Sequence, residues 1–288
     1  MSELQQPTEQ HYQYNDDPTF LWQTICEHLE KKGFSESDLN SDLLAPIDQL
    51  HIGGRSASTD LLAVSGLAPE SYILEIGSGL GGTARLLSDR LDAHITAVDI
   101  TPAFTFACQQ INRIQGYSTI NSVCADASEL ELTDNSQDAV WSQHTIMNIP
   151  DKDKLFSTLA RVLKKGGKLL LHEVIAGANT EPLALPVPWA SQAEQSHLPS
   201  LNQLVELLAQ HHFKPLHCQL ITDKALDWRT KHSQREQGQQ PKGNIQSKSP
   251  LTPVLVFGER FITMGKNVQQ NLADNKVQIL EAVFEYQG

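Results

Sequence analysis

Glu75 stands directly ahead of a glycine-rich run, Gly77-Ser78-Gly79-Leu80-Gly81-Gly82. Glycines 77, 79 and 82 satisfy a Gly-x-Gly-x-x-Gly spacing, which lets a backbone turn lie close against a ligand. Tyr72, Ile73, Leu74 and Ile76 lead in, and Thr83 to Leu91 follows with helical spacing, so the turn joins a buried strand to a helix. The glycine pattern alone fits a dinucleotide equally well. A pyrophosphate, however, needs the positive end of the following helix, where free backbone N–H groups receive anions. Glu75 would repel it and would attract a ligand carrying an ammonium and a sulfonium. About twenty residues on, Ala93 to Thr101 reads as a second strand ending in Asp99, where a carboxylate can accept both hydroxyls of a ribose.

With these residues the sequence resembles the class I S-adenosylmethionine-dependent methyltransferases, and the likeness runs over residues 70 to 175. Ser122 to Ser128 ends a third strand in Asp126, which the resemblance assigns to the adenine amino group. Asp138 to Asp151 looks like the fourth strand with its catalytic-face loop, and Leu163 to Glu173 like the turn and fifth strand. The resemblance implies S-adenosyl-L-methionine as cofactor, held by Glu75, Gly77, Ser78, Gly79, Gly81, Asp99, Ile100, Asp126, Ala127 and Gln143. Where many relatives carry a histidine two residues before the Pro-Asp of the fourth loop, this chain has Asn148, so a base role does not carry over there. Pro186 to Ala190 and Ser196 to Ser200 look like the lid of small-molecule enzymes near the sarcosine and dimethylglycine methyltransferases, and Ser142-Gln143 matches a pair found there. Asp48 to Arg55 resembles a segment that closes over the methionine end of the cofactor.

Methyl transfer from a sulfonium is an in-line displacement with an activated leaving group, so positioning and electrostatics are the protein's main tasks. An amine acceptor needs only to be neutral when it attacks, whereas a hydroxyl or an acidic carbon gains more from a base. His144, just past the fourth strand, is the first candidate base, with a backbone-bonded loop histidine as the alternative reading. His51 is the second, while His172 reads as a strand histidine packed under the sheet. His211 and His212 end a helix, where positive charge is favoured, and are not read as a ligand pair. Trp189, between Pro188 and Ala190, either offers a ring face to a cationic acceptor or anchors the lid, and Trp141 and Trp228 are further wall candidates. The expected activity is methyl transfer to a small-molecule acceptor, preferably a small amine. Phenolic, quinone-like or lipid-like acceptors remain open, as do an NAD-dependent oxidoreductase and a cofactor-sensing binding protein.

The elements that must position these groups follow from alternation. Strands are expected at 71–76, 94–99, 119–124, 138–142 and 167–174, and helices at 82–91, 103–115 and 152–163, a pattern that implies a parallel sheet covered on both faces. A helix over 18–32 and another from 56 to 65 precede them. An amphipathic helix at 201–212, a strand at 214–222, a mainly helical stretch at 251–272 and a last strand at 275–286 follow. The fold class is therefore α/β, which the resemblance makes a Rossmann-like seven-stranded methyltransferase sheet with its last strand antiparallel and a lid. Domain bounds are set at 1–66 for an N-terminal helical cap and 67–288 for the methyltransferase domain. A lid insertion falls near 176–200 and a flexible loop near 236–250, and Tyr12 and Tyr14 lie in a polar leader of residues 1–16.

Composition narrows the partners. Acidic residues outnumber basic ones 34 to 22 among 288 residues, a net charge of −12 that disfavours nucleic acid and anionic membrane. Cys26, Cys108, Cys124 and Cys218 are scattered without Cys-x-x-Cys spacing, so reduced thiols are expected and no metal site. Without a signal-peptide pattern or a long apolar run, the expected location is cytoplasmic. Sequence is silent on oligomeric state.

Overall fold

The computed structural model describes residues 17–236 and 249–288. Among the described residues, three α-helices precede the first strand: α1 (Phe20–Lys31), α2 (Ser41–Asp48) and α3 (Gly54–Ser65). Strands and helices then alternate as β1 (Tyr72–Ile76), α4 (Gly82–Leu91), β2 (His94–Asp99), α5 (Pro102–Gln115), β3 (Ile120–Cys124), β4 (Gln137–Gln143), α6 (Lys152–Val162) and β5 (Leu163–Ala176). The chain ends with α7 (Leu201–Gln210), β6 (Phe213–Leu220), α8 (Thr222–Glu236), α9 (Val254–Phe257), α10 (Phe261–Ala273) and β7 (Val277–Tyr286).

The seven strands form one sheet in the order β3-β2-β1-β4-β5-β7-β6. Pairing is parallel from β3 to β5, and β7 inserts antiparallel between β5 and β6. Both faces are covered, which is why Ile73, Leu74 and Ile76 form a near-continuous apolar run with no exposed surface. Leu74, Val140, Leu169 and Phe284 pack against Phe156 and Leu159 of α6 on one face. Ile73, Ile95, Trp141 and Leu170 pack with Leu87 of α4 and Leu61 of α3 on the other. From β1 the chain winds outward to β2 and β3, then returns across β1 to β4. The carboxyl ends of β1 and β4 therefore flank a switch point, the crevice where open α/β sheets bind ligands.

Four local readings change. Helix α2 was not anticipated around Pro46; Asn40 caps it, its side-chain oxygen accepting from the Asp42 and Leu43 amides at 3.0 Å each. Helix α8 was missed because it has no apolar stripe: its buried face includes Arg229 and Ser233 beside Ala225. The 251–272 stretch divides at Gly258, whose φ of +67° ends α9 before α10 begins. Strand β5 starts at Leu163, directly at the end of α6, rather than at 167. Tyr12, Tyr14 and most of the 236–250 loop lie outside the described residues. Among the described residues no helix is long and apolar enough to cross a membrane, and no group of three or more His, Cys, Asp or Glu is placed to hold a metal ion.

Candidate active site

The tips of β1, β2 and β4, the segment between α2 and α3, and Trp189 of the lid open onto one cavity of about 1150 Å³. Ligand pockets typically span roughly 300–1000 Å³, so there is room for a cofactor and an acceptor together. Glu75, Gly77, Ser78, Gly79, Asp99, Ile100, Asp126, Ala127 and Gln143 line it, as do His51, His144 and Trp189. Gly81 does not. It caps α4 at φ +78°, and a Cβ there would lie 2.4 Å from Cys108 Sγ, so helix packing demands this glycine.

The other glycines of the turn answer to different neighbours. A Cβ at Gly77 would stand 2.1 Å from Thr145 Oγ1, and one at Gly82 would stand 2.3 Å from the Asp48 carbonyl oxygen. Only at Gly79, with φ +52°, would a Cβ meet nothing within 4 Å. Gly77 thus admits the loop after β4, Gly82 admits the cap, and Gly79 leaves open space beside the cavity. The cap is fixed there by a buried ion pair, Arg85 Nη2 to Asp48 Oδ2 at 2.8 Å, with both side chains 3% exposed.

Several buried polar atoms on the cavity wall have no hydrogen-bond partner, and two of them bear on the cofactor. One is Glu75 Oε2. Burial pushes the Glu75 carboxyl up to about 8, against the pull of the Arg85 charge. The other is Gln143 Nε2. Gln143 Oε1 accepts from Trp141 Nε1 at 2.8 Å and from the Ser58 and Thr83 hydroxyls at 3.0 Å each. Because an indole N–H can only donate, that contact fixes the amide orientation and leaves Nε2 as a stranded donor. Trp141 therefore positions Gln143 and does not wall the acceptor pocket. An unmet acceptor and an unmet donor match the ammonium and carboxylate of an amino-acid head.

At the neighbouring strand tip, Asp99 Oδ2 accepts the Gly79 amide and Oδ1 the Thr101 amide, each at 2.8 Å. Burial raises the Asp99 carboxyl above its ordinary value. Each carboxylate oxygen keeps a lone pair for a hydroxyl. Asp126 Oδ1 accepts the Ser128 amide at 2.9 Å, which orients its side chain at the tip after β3. The donor and acceptor set, with the opening at Gly79, fits S-adenosylmethionine.

Beyond β4 lies a cluster of three imidazoles. His144, at φ +52°, stacks on His172 with ring centroids 5.1 Å apart, and His51 stands 6.1 Å from the former and 5.7 Å from the latter. Burial lowers all three, His51 to about 4, His172 to about 3 and His144 well below the ordinary histidine value, so the rings are neutral. His51 Nε2 is taken by the Gly54 carbonyl at 3.0 Å and the Ser58 hydroxyl at 3.2 Å, whereas His144 Nε2 has no partner. His172, read as a packed strand histidine, is a buried residue of β5 that backs His144 without lining the cavity.

Sequence reasoning missed what holds this loop. Glu173, fully buried, accepts the Thr145 amide at 2.9 Å and the Ser142 hydroxyl at 2.5 Å. The signal available was a lone acid within the apolar run Leu169 to Ile175. Lys152 Nζ donates to the Ile149 carbonyl at 2.9 Å and the His197 carbonyl at 2.5 Å, and the His197 amide donates to the Met147 carbonyl at 2.9 Å, so loop and lid are laced together. Trp189 is 2% exposed, donates its indole N–H to Ser196 Oγ at 2.9 Å and packs with Val187 and Ala190, the geometry of an anchor with one edge on the cavity.

Residues 74–171 match the methyltransferase domain family. The sheet order and the site at its switch point are those of the Rossmann-like methyltransferase fold. The chain is 27% identical to phosphoethanolamine N-methyltransferase 2 of Caenorhabditis elegans over 150 residues, 51% of this chain and 34% of that protein. It is 31% identical to sarcosine/dimethylglycine N-methyltransferase of Halorhodospira halochloris over 108 residues, 37% of this chain and 39% of that one. These alignments thus span between a third and two fifths of those relatives' length. Among solved structures, phosphoethanolamine N-methyltransferase 2 of Haemonchus contortus, in complex with phosphomonomethylethanolamine and S-adenosylhomocysteine, superposes with a TM-score of 0.70 at 21% identity, covering 92% of this chain and 60% of that one.

Proposed function

We propose that this chain transfers the methyl group of S-adenosylmethionine to the nitrogen of a small-molecule amine. The observation that carries the reading is the pairing of two buried, unmet groups, Glu75 Oε2 and Gln143 Nε2, on the same cavity as the unpartnered Nε2 of a neutral His144. When bound, the cofactor supplies a methyl group on a sulfonium, a leaving group that needs no activation. Glu75 and Gln143 hold its amino-acid head, Asp99 its ribose and Asp126 its adenine. His144 Nε2 receives the proton that an ammonium must lose before its nitrogen can attack. Burial lowers the amine's own pKa as well, which eases that transfer. The cap and the lid, with Ile52 and Trp189, exclude water from the reacting atoms.

The N-methyltransferases of phosphoethanolamine and of sarcosine and dimethylglycine support an amine acceptor. A net charge of −12 supports an acceptor other than nucleic acid, and the four free thiols support a reducing, cytoplasmic compartment. Calorimetric titration separates this reading from a dinucleotide enzyme. S-adenosylmethionine is expected to bind while NADH does not, and the reverse order would overturn the proposal.

A further inference from the structure

We propose that the acceptor amine carries an apolar, ring-sized body, seated in a second compartment of the cavity walled by Trp228, Phe257 and Phe261; this rests on the amine reading above. The cavity has two chemically different halves. Its acids, Asp48, Glu75, Asp99, Asp126 and Asp151, all come from the cap and the strand-tip loops. Among the described residues, those that α8, α9 and α10 contribute to the lining include no acid.

That wall is built from stacked rings. Phe257 and Phe261 lie 5.7 Å apart with planes 13° off parallel, an arrangement made possible by the break at Gly258 between them. Phe261 is partly buried and lines the cavity, while Phe257 also packs against the cluster of Leu21, Phe104 and Ile111. From α8, Trp228 stacks on His232 with centroids 3.7 Å apart. A Cβ built at Gly54 of the cap would come within 3.9 Å of the Trp228 ring. The Gly54 carbonyl in turn holds His51 Nε2 at 3.0 Å, so the aromatic compartment is continuous with the histidine cluster.

An amine nitrogen presented to His144 therefore has its substituent directed among aromatic faces. Such walls gain from a ring that they withdraw from water, and gain little from ethanolamine or a glycine derivative.

The test is calorimetric titration of the protein saturated with S-adenosylhomocysteine, using 2-phenylethylamine, ethanolamine, sarcosine and putrescine. The expected result is that 2-phenylethylamine binds at least about tenfold tighter than the other three. Phe261→Ala should erase that margin while leaving ethanolamine binding unchanged, and Trp228→Leu should shrink it. Ethanolamine, sarcosine or putrescine binding as tightly as 2-phenylethylamine would overturn the proposal, as would a margin that survives in both variants. A margin that holds while no amine is methylated would uphold the compartment and remove the amine-methylation reading instead.

Discussion

The imidazole of His144 stacks on that of His172, centroids 5.1 Å apart and planes 10° off parallel, and the His144 amide donates to the His172 carbonyl at 2.9 Å. The contact is made twice, through ring and backbone, and burial, with repulsion from His172 and His51, disfavours a proton on His144. The ring that reaches the cavity is thereby kept neutral.

His144→Ala should lower turnover by about a hundredfold, the scale of a general base, with S-adenosylmethionine affinity nearly unchanged. Steady-state rates beside calorimetric affinities check this. A rate within a few-fold of wild type would mean that the amine enters already neutral and that His144 only shapes the wall.

Glu75 gives a prediction about protons. Its carboxyl is pushed up to about 8, so it is mostly protonated at pH 7 in the cofactor-free chain. A cation seated at its unmet oxygen favours the ionised form, and binding at pH 7 should release up to about one proton. Titrations in buffers of different ionisation enthalpy read that number directly. Release that persists in Glu75→Gln would place the proton elsewhere.

Glu173 carries a stability signature. In the folded chain it keeps its proton up to about 8, whereas the free side chain loses it near 4.5. The folded state binds more protons than the unfolded one across that window, so stability falls as pH rises through it. Glu75 contributes in the same direction. Between about 6.5 and 7.5 the three histidines, neutral when folded and still partly protonated when unfolded, oppose part of this slope, and above that they are neutral in both states. Lys152, lowered to about 8, begins to titrate only at the top of the window. The cofactor-free protein should therefore melt lower at pH 8 than at pH 6.5, and Glu173→Gln should flatten part of that decline. Parallel wild-type and variant curves would exclude Glu173 as a source.

The glycine turn divides by neighbour. Gly79→Val should abolish cofactor binding with the melting temperature lowered only by the strain of its φ of +52°, because its side chain enters open space. Gly82→Ala should instead loosen the cap, since its methyl meets the Asp48 carbonyl at 2.3 Å. Cofactor affinity and melting temperature measured side by side separate the two. Loss of fold in Gly79→Val would contradict the assignment.

What could be read ahead of the structure was local in the chain. Glu75 and the glycines sit within eight residues of one another, and Asp99 ends the next apolar run, so spacing and charge were enough to place them at strand tips. What could not be read depends on contacts between distant segments. His172 meets His144 because β5 pairs with β4 in the register that sets Gln143 against His172. Gly82 is required by Asp48, 34 positions earlier, which lies in a helix that Pro46 disguised. Helix α8 escaped notice because its buried positions include an arginine and a serine, so no apolar period marks it, and the aromatic wall it helps to form was unseen with it.

The most direct measurement of the central claim follows the methyl group itself. The protein is incubated with S-adenosylmethionine bearing a trideuterated methyl group and with amine, phenol and thiol acceptors, and product masses and fragments are read. The expected result is a trideuteromethyl group on an amine nitrogen, formed in step with S-adenosylhomocysteine and lost in Asp99→Ala. Label on oxygen or sulfur, or cofactor bound but never consumed with any acceptor, would contradict the account.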